Sequence, residues 1–313
     1  KTGSTTAPAH TLYEIVRKLP DGAQVELESS SDGASLVIRA GRSRFTLQCL
    51  PPADFPAMNE GDLPHRFQLP ATDLKGIIDR TRFAISNEET RYYLTGVYLH
   101  ASSGGKGADA MLRAVATDGH RLAQAQVPRP EGAKAMPGVI IPRKTVLEIV
   151  KLIEGSDAEV EIALSASKIR FTTGSIVLTS KLIDGTFPDY ERVIPTGNDK
   201  VLEAERKALF DAVDRVSAIS SEKSRSIKMN CEKGMITLSA SSPEAGSAVE
   251  EVEATYGAGH LEIGFNSRYL LDIASQLDGE VAVLKLADPG SPTLIEDKDA
   301  KGALYVLMPM RIS

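Results

Sequence analysis

The chain repeats itself with a period of 134 residues, and this period constrains the fold more than any other feature. The segment LYEIVRKL at 12–19 recurs as VLEIVKLI at 146–153, and AIS at 84–86 recurs at 218–220. Both pairs are separated by 134 residues, and LDI at 271–273 is a further echo of the first segment. Because unrelated stretches share one period, the sequence predicts a tandem array of one domain.

Within each period, helical and strand-like spacing of apolar residues alternate. Leu74, Ile77 and Ile78 repeat at helical spacing after Thr72 or Asp73, either of which is a suitable N-cap. The same stripe continues to 84–85. The predicted helices of the chain are 10–19, 71–86, 142–153, 204–220 and 266–277.

The predicted helix at 142–153 starts at Pro142, which fits a first helical turn, and ends near Gly155. Its apolar residues are Val146, Ile149, Val150 and Ile153. Between helices, segments such as 160–164 and 169–172 alternate at period 2, as half-buried antiparallel strands do. The Gly-rich stretch 102–107 indicates a hairpin loop. The sequence therefore predicts an α+β fold with two helices and an antiparallel sheet per domain.

This reading divides the chain at 1–59, 60–195 and 196–313. The last two segments are full units, whereas the first matches only the second half of a unit. One helix on an open sheet edge is too small to be stable alone. We therefore expect the natural chain to carry about 60 further residues before the first, by the length of the missing half-unit.

The charge of the chain is at first sight wrong for a nucleic-acid partner. The formal net charge is −6 and the isoelectric point is about 5.5, whereas phosphate binding favours a basic face. The five predicted helices, however, carry twelve Lys and Arg against eight Asp and Glu, a net +4, and the rest carries −10.

Two pairs of these basic residues, Lys75 with Arg82 and Lys144 with Lys151, are seven apart and predicted on the solvent side of their helices. Helices that lined a common cavity would make it mildly basic within an acidic shell. Ordinary solvated helix faces explain the same pattern. A weakly basic channel would bind DNA loosely enough for the protein to slide, and a closed ring would prevent the protein from dissociating sideways.

Other classes of site find little support in the sequence. Cys49 and Cys231 lie far apart in strand-like runs, which favours two small buried apolar residues over a disulfide or a metal site. No apolar run approaches the ~18 residues of a membrane span, and residues 1–12 lack the pattern of a signal peptide. We expect a soluble, cytoplasmic protein with neither metal nor cofactor.

Asp118 and His120 are the one pair that suggests acid–base catalysis. Only Gly119 separates them, and neither a nucleophile motif nor a phosphate-binding loop accompanies them. A tight turn after the strand that contains Val115 explains the same residues. The sequence leaves both interpretations open and gives the enzymatic one little support.

Several short motifs, taken together with the period, are specific for one family. They are RYYL at 91–94, ATDGHRL at 116–122, FPDY at 187–190, GFN at 264–266 and MPMRI at 308–312. The chain resembles the bacterial sliding clamp, the beta subunit of the replicative DNA polymerase III, over essentially its whole length. The resemblance implies a DNA-clamp fold that closes into a ring as a head-to-tail homodimer.

The resemblance further implies a pocket between the second and third domains that receives short linear peptides of partner proteins. Its residues would be Leu94, Thr117, Gly119, His120, Arg121, Leu122, Pro188, Arg192, Val193, Asn266, Tyr269, Val306, Met308, Pro309, Met310 and Arg311. The apolar members would form an adaptable trough, while His120, Arg121 and Arg311 would meet polar and acidic groups. A final strand buried in the core would also explain the tail at 308–312, and this interpretation is compatible with the pocket. Ser224 departs from the family, where a Phe shapes one rim.

Two more sets of residues are implied by the resemblance. DNA would contact Arg91, Tyr92, Tyr93, Arg143 and Lys144. For the first three, a core position with one surface charge is the competing interpretation. The contact between protomers would join a basic strand to an acidic one and would involve Arg42, Arg44, Phe45, Leu47, Ile219, Glu250, Glu251 and Glu253.

The sequence thus predicts a non-catalytic processivity factor that slides on double-stranded DNA without sequence preference. Its implied partners are the DNA polymerase III alpha subunit, other DNA polymerases, an ATP-driven clamp loader, ligase and mismatch-repair proteins, and a second copy of the chain. A repeat-built scaffold that binds peptides without DNA is the alternative from another class. An enzyme that uses His120 ranks third.

Overall fold

The computed structural model describes residues 3–56, 61–104, 109–220, 225–300 and 302–311. It contains two compact units, Lys1–Gly61 and Asp62–Ser313. The described α-helices are α1 Ala9–Val16, α2 Ala71–Arg82, α3 Arg143–Leu152, α4 Arg206–Ser217 and α5 Ser267–Ala274. All five helices predicted from the sequence are confirmed, with ends that differ by up to four residues.

The strands pair antiparallel throughout, as the period-2 pattern predicts. The strands of the smaller unit are β1 Val25–Ser29, β2 Ser35–Ala40 and β3 Ser43–Gln48. Those of the first full repeat are β4 His65–Pro70, β5 Gly96–Ala101, β6 Met111–Thr117, β7 Arg121–Pro128, β8 Val139–Pro142, β9 Glu159–Leu164, β10 Lys168–Thr173 and β11 Ile176–Lys181. Those of the second are β12 Lys200–Glu205, β13 Ser226–Glu232, β14 Met235–Ser242, β15 Gly246–Glu253, β16 Thr255–Tyr256, β17 Leu261–Asn266, β18 Val281–Leu286, β19 Thr293–Asp297 and β20 Ala303–Leu307.

In the smaller unit the strands form a sheet in the order β1-β2-β3. Burial alternates along β2, so Leu36 and Ile38 form a small core with Leu47 of β3. Residues of α1 pack against this core, although none of them is buried. One correction concerns Arg42, which was predicted on a strand: it lies in the turn between β2 and β3.

In the larger unit the two full repeats share one architecture. In each repeat the first half builds the strand order β8-β5-β6-β7 or β17-β13-β14-β15, and the opening strand joins the three strands of the second half in the order β4-β9-β10-β11 or β12-β18-β19-β20. The second half of the later repeat then joins the first half of the earlier one, because β20 pairs with β7. A nine-stranded sheet therefore runs continuously from β16 to β8.

Each helix of the larger unit begins at the residue that follows a strand. Pro70 and Pro142 end β4 and β8 and occupy the N-cap positions of α2 and α3, so the predicted N-cap at Thr72 or Asp73 is wrong. Pro142 likewise lies just before the first turn and not within it. Proline suits these positions because it has no N–H to leave unsatisfied. Glu205 and Asn266 cap α4 and α5 through their side chains.

The apolar stripes predicted for the helices face the core. Leu74, Ile77 and Ile78 of α2 are buried, and so are Val146 and Ile149 of α3. Buried side chains from both full repeats form one contiguous cluster. The stripe of α2 extends past the end of the helix at Arg82, because Ala84 and Ile85 are buried in the connection that follows.

The two cysteines differ from each other. Cys231 lies on β13 and is fully buried, as predicted, and burial raises the pKa of its thiol to about 12. Cys49 follows β3 and is only half-buried, so the prediction of a buried strand residue is wrong for this position. Part of the predicted hairpin loop at 102–107, from residue 105 onward, lies outside the described residues.

Candidate functional site

A cleft of about 260 Å³ opens where the two full repeats meet, beside the paired strands β7 and β20. Its walls are the turn between β6 and β7, a short 3-10 helix over Glu89–Leu94, a second one over Tyr190–Val193 with the residues before it, and the end of β20. The residues that line it are Arg91, Tyr93, Leu94, Thr117, Gly119, His120, Arg121, Leu122, Pro188, Asp189, Tyr190, Val193, Val306 and Met308.

The floor of this cleft is apolar and its rim is polar. Leu94, Leu122 and Val306 are at most 3% exposed, and they belong to a compact cluster separate from the main core. Val193 and Met308 stand at the rim and are 50% and 40% exposed. Apolar side chains that remain this exposed beside a cavity are typical of a binding surface.

The turn between β6 and β7 is built by its own side chains. The Asp118 carboxylate accepts hydrogen bonds from the backbone N–H groups of His120 at 2.9 Å and Arg121 at 3.0 Å. Thr117 Oγ1 accepts from the Gly119 N–H at 3.1 Å, and Gly119 adopts a φ of +90°, which favours glycine. The Asp118 carboxylate thus holds the turn together, as the non-catalytic interpretation predicts.

The side chain of Arg121 is held by contacts within the chain. Its side chain is 9% exposed, and Nε, Nη1 and Nη2 donate to Asp118 Oδ2 at 3.1 Å, Asp272 Oδ2 at 2.5 Å and the Phe83 carbonyl at 2.9 Å. The guanidinium also lies over the rings of Phe83 and Tyr269, at 5.0 and 4.3 Å. Each of its three nitrogens therefore already has an acceptor within the chain, and the expectation that this group meets the polar and acidic groups of a partner stays a prediction.

The Glu89–Leu94 segment contributes Arg91 to the opposite side of the turn. Arg91 Nη2 donates to the Asp118 carbonyl at 2.9 Å, and Nε donates to Glu88 Oε2 at 2.8 Å. The hydrogen bond from Arg91 holds the pKa of the Glu88 carboxyl below its usual value. Tyr93 is half-buried against the pocket cluster, whereas Tyr92 is 52% exposed. The segment does lie between a helix and a strand, and only part of it belongs to the core.

Stacked aromatic rings support the wall that contains Pro188. The rings of Tyr98 and Phe187 are nearly parallel, with centroids 4.7 Å apart. Tyr190 Oη lies 2.9 Å from His100 Nε2. Burial, reinforced by the Arg113 guanidinium, lowers the pKa of His100 below its usual value. These contacts support the wall from behind, and Tyr190 both takes part in them and lines the cleft.

The C-terminal tail leaves β20 and runs alongside both repeats. The Met308 N–H donates to the His120 carbonyl at 2.9 Å, and the Met310 N–H donates to the Gly264 carbonyl at 2.8 Å. Arg311 is exposed, and Ile312 lies outside the described residues. Asn266 caps α5 by accepting from the Arg268 N–H at 3.0 Å. The interpretation of the tail as a final strand in the core is wrong for these residues, because β20 ends at Leu307 and Met308 is 40% exposed, whereas the pocket interpretation stays a prediction.

Ten of the sixteen predicted pocket residues line the cleft. The other six are Arg192, Asn266, Tyr269, Pro309, Met310 and Arg311. Arg192 forms an ion pair of 2.6 Å with Asp189, and the Tyr269 ring lies against His120 and Arg121. Four lining residues, Arg91, Tyr93, Asp189 and Tyr190, were not predicted for the pocket, although all four stand inside the motifs that marked the family.

The residues predicted to contact DNA are not equivalent to one another. Arg143 Nη2 donates to the carbonyls of Ile85 at 2.8 Å and Ser86 at 3.3 Å, so it ties the start of α3 to the connection after α2. Lys144 is exposed. The DNA contacts themselves stay predictions.

Six of the eight residues predicted at the contact between protomers lie on the edge strands β3 and β15. On β3, Arg44 is exposed, Phe45 is half-buried and Leu47 is buried. The apolar pair therefore packs largely on the core of the smaller unit.

The acidic side of the predicted contact lies on β15. Glu251 and Glu253 are exposed, whereas Glu250 is bound by Arg215 of α4, with Nη2 to Oε1 at 2.5 Å. Ile219 follows α4 and is half-buried. Among the described residues, β15 pairs on one side only, with β14. The contact itself stays a prediction.

Ser224, which departs from the family pattern, lies outside the described residues. In the part of the chain that the structure describes, no group of three or more His, Cys, Asp or Glu side chains could hold a metal ion. No helix within the described ranges is both long enough and apolar enough to cross a membrane.

Profiles of one family match the chain in order from end to end. They describe the DNA polymerase III beta subunit, with its N-terminal domain at residues 1–59, its central domain at 68–189 and its C-terminal domain at 191–311. The chain belongs to the DNA polymerase III beta subunit family. It therefore functions in DNA replication as a sliding clamp, a processivity factor and not an enzyme.

Individual relatives agree with this assignment. The beta sliding clamp of Caulobacter vibrioides (strain NA1000 / CB15N) is 55% identical over 310 residues, which cover 99% of this chain and 83% of the relative. The beta sliding clamp of Escherichia coli (strain K12) is 38% identical over 310 residues, covering 99% of this chain and 82% of that protein.

Solved clamp structures have the same fold. A DnaN sliding clamp from Bartonella birtlesii, bound to griselimycin, has a TM-score of 0.92 at 52% identity, covering 100% of this chain and 83% of that one. A DNA polymerase sliding clamp from Caulobacter crescentus has a TM-score of 0.90 at 54% identity, covering 99% and 82%. The predicted clamp fold is confirmed.

Proposed function

We propose that the cleft beside β7 and β20 is the site where this clamp docks the peptides of its partners. The observation that carries the proposal is an apolar floor formed by Leu94, Leu122 and Val306, surrounded by a polar rim. A floor of this kind accepts the hydrophobic anchors of a short peptide, and the flexible Met308 side chain can adapt to different anchors. Polymerases, the clamp loader, ligase and mismatch-repair proteins would then compete for one site.

The same cleft would bind griselimycin, the compound bound to the Bartonella clamp. Calorimetric titration of the chain with griselimycin tests this. Val193→Glu and Met308→Glu place a charge at the rim, on side chains exposed enough for the fold to tolerate it. Each should weaken binding by about tenfold or more, because an apolar contact is replaced by a desolvated charge. Val249→Glu, on the exposed side of β15, is the matched control and should bind like the unmodified chain.

Ring closure would repeat, between two copies, the contact that β20 and β7 make within one. In the order of the repeats, β3 corresponds to β20, and β15 corresponds to β7. Both β3 and β15 have a free edge among the described residues, and an unpaired edge is a ready template for another strand. Arg44 on one edge and the exposed Glu251 and Glu253 on the other give this pairing its charge complementarity.

DNA would pass through the resulting ring along the helices. The helices carry a net positive charge, whereas the rest of the chain is acidic. Weak contacts suffice, because a closed ring is held on DNA by topology. The chain would work in the cytoplasm, where the bacterial chromosome is replicated.

Retention on DNA tests the ring directly. The clamp, loaded by its clamp loader, should stay on circular DNA at high salt, which removes contacts to phosphate. Linearising the DNA should release it from the free ends. Equal rates of loss from circular and linear DNA would contradict encirclement.

A further inference from the structure

Arg121 occupies an unusual position for a residue of a binding cleft. It lines the cleft, yet its side chain is only 9% exposed and its three guanidinium nitrogens each donate to an acceptor within the chain. Long charged side chains are almost never buried unless they are paired. The burial of Arg121 therefore points to a role other than direct contact with a ligand.

The acceptors of Arg121 lie on three separate elements. Asp118 belongs to the turn between β6 and β7, the Phe83 carbonyl lies at the C-terminus of α2, and Asp272 lies on α5 of the second full repeat. The guanidinium is also flanked by the rings of Phe83 and Tyr269. One side chain thus connects the turn to a helix of each full repeat.

The rest of the cleft depends on where this turn lies. Gly119 and His120 line the cleft directly. The His120 carbonyl accepts from the Met308 N–H at 2.9 Å, and the Asp118 carbonyl accepts from Arg91 Nη2 at 2.9 Å. A shift of the turn would therefore move Met308 and Arg91, which form two other walls.

We propose that Arg121 is a positioning residue for peptide docking: it sets the shape of the cleft by fastening the turn to α2 and α5. This inference rests on the proposed function of the cleft. A peptide gains affinity when the site is already in its bound shape, because no free energy is then spent on ordering the walls. Arg121 would keep the cleft walls in this shape, although its own side chain is buried.

The role requires arginine and not simply a positive charge. A guanidinium is planar and presents donors in a fixed fork, so it can reach three acceptors while it stacks against aromatic rings. Lysine keeps the charge at Arg121 but offers a single ammonium group on a flexible stem. Lysine cannot satisfy Asp118, Asp272 and the Phe83 carbonyl in the same geometry.

A second ion pair between the repeats provides a matched control. Arg80 of α2 binds Asp278, which lies beyond the end of α5, with Nη2 to Oδ2 at 2.6 Å. Like Arg121, Arg80 joins the first full repeat to the second, but it does not line the cleft. Arg80→Lys therefore replaces a guanidinium that joins the same two repeats, and it leaves the turn between β6 and β7 unchanged.

The experiment measures griselimycin affinity by calorimetry for the unmodified chain, Arg121→Lys, Asp272→Asn, the double variant and Arg80→Lys. We expect Arg121→Lys to weaken binding by about tenfold and Asp272→Asn by about fivefold, from the loss of charged hydrogen bonds. The double variant should bind within about twofold of Arg121→Lys, since residues that act as one unit are not additive. Arg80→Lys should bind like the unmodified chain.

A spectroscopic readout separates positioning from loss of stability. In two-dimensional NMR spectra of the unliganded chain, the amide resonances of Gly119 and His120 should move in Arg121→Lys and stay in place in Arg80→Lys. Unchanged affinity or unchanged resonances in Arg121→Lys would overturn the inference and leave the docking site standing. A lack of binding by the unmodified chain would instead contradict the docking site itself, and the inference with it.

Discussion

Strands β7 and β15 hold equivalent places in the two full repeats, yet one is covered and the other is not. β7 pairs with β20, and Leu122, Ala123, Gln124 and Ala125 along it are buried. β15 has a free edge among the described residues, and Val252 is its only buried residue. The same fold position therefore serves once as an internal seam and once as an exposed edge.

The side chains of the two strands differ accordingly. Where it is paired, the covered strand carries Leu122, alanine and glutamine after the internally bound Arg121, whereas the exposed one carries Glu250, Glu251 and Glu253. Charged side chains on an exposed edge discourage nonspecific pairing with other strands. In the proposed contact they would also favour a basic partner edge such as the one that carries Arg44. A permanent junction and a reversible one can thus be built from one strand position by changing its charge.

The largest effect is expected from adding a charge to the covered strand. Ala123 is fully buried and faces Tyr305 in the register of β7 and β20, so Ala123→Glu would bury an unpaired carboxylate. We expect a loss of about 3–5 kcal/mol in the free energy of unfolding, measured with urea. Val249→Glu on the exposed strand should change it by less than about 0.5 kcal/mol. Equal losses would show that the two strands do not differ as described.

The next effect concerns the proposed contact between copies. Arg44→Glu places a negative charge against the acidic edge and should weaken dimerisation by about 10- to 100-fold, measured by analytical ultracentrifugation. Combining it with Glu251→Lys and Glu253→Lys should restore the dimer. Glu250 is left unchanged because Arg215 of the same chain already binds it. Dimerisation that ignored all of these reversals would place the contact elsewhere.

A smaller effect is expected in the turn that begins β7. At Gly119, φ is +90°, and a Cβ atom would lie 2.6 Å from Arg91 Nη1. Gly119→Ala should lower the free energy of unfolding by about 1–2 kcal/mol, because a strained backbone and a displaced side chain combine. Thermal unfolding measures this change. Gly246→Ala, at the start of β15, is a comparison with φ of +97° and open space around the Cβ, so it isolates the backbone contribution.

The smallest effect is a pH dependence that resides in the covered sheet. Burial and then Arg113 lower the pKa of His100 from 6.5, while Tyr190 and Glu191 lie beside them. An unfolded chain therefore binds a proton here more readily than the folded one. The stability contributed by neutral His100 is complete above about pH 6.5 and is lost as the pH falls below it.

His100→Gln tests this dependence. It keeps a hydrogen-bonding group near Tyr190 and removes the titration, so its melting temperature should fall less between about pH 7 and pH 5. The control is the same variant at about pH 8, where His100 is neutral in both states and the pH-dependent difference should vanish. A parallel fall in both proteins would assign the acid sensitivity to other groups.

The sequence predicted the repeat, the helices and the antiparallel strands because each depends on local periodicity. Val146 and Ile149 are buried at the spacing that marks a helix face. The start of α2 at 71 was predicted correctly, but its N-cap was not: Thr72 and Asp73 are good N-cap residues in isolation, whereas the preceding strand ends at Pro70 and continues directly into the helix. Such a junction is set by tertiary packing, which outweighs local preference.

The candidate site was predictable to the extent that its residues stand in recognisable motifs. The turn at 116–122 is an example, because Asp–Gly in a strand pattern specifies its own geometry. The partners of Arg121 were not predictable, since Phe83 and Asp272 lie 38 and 151 residues away. Local sequence cannot show which side chains meet over such separations. The same limit applies to Glu250, whose partner Arg215 is 35 residues away.

The continuous pairing of β7 with β20 bears on how such a ring can open. Pulling these strands apart would break the nine-stranded sheet and dismantle the cleft beside it, so in the proposed ring the gap that admits DNA would form at the contact between copies. The cleft would then remain assembled throughout. A partner could therefore stay bound at the cleft while the contact between copies opens and DNA enters.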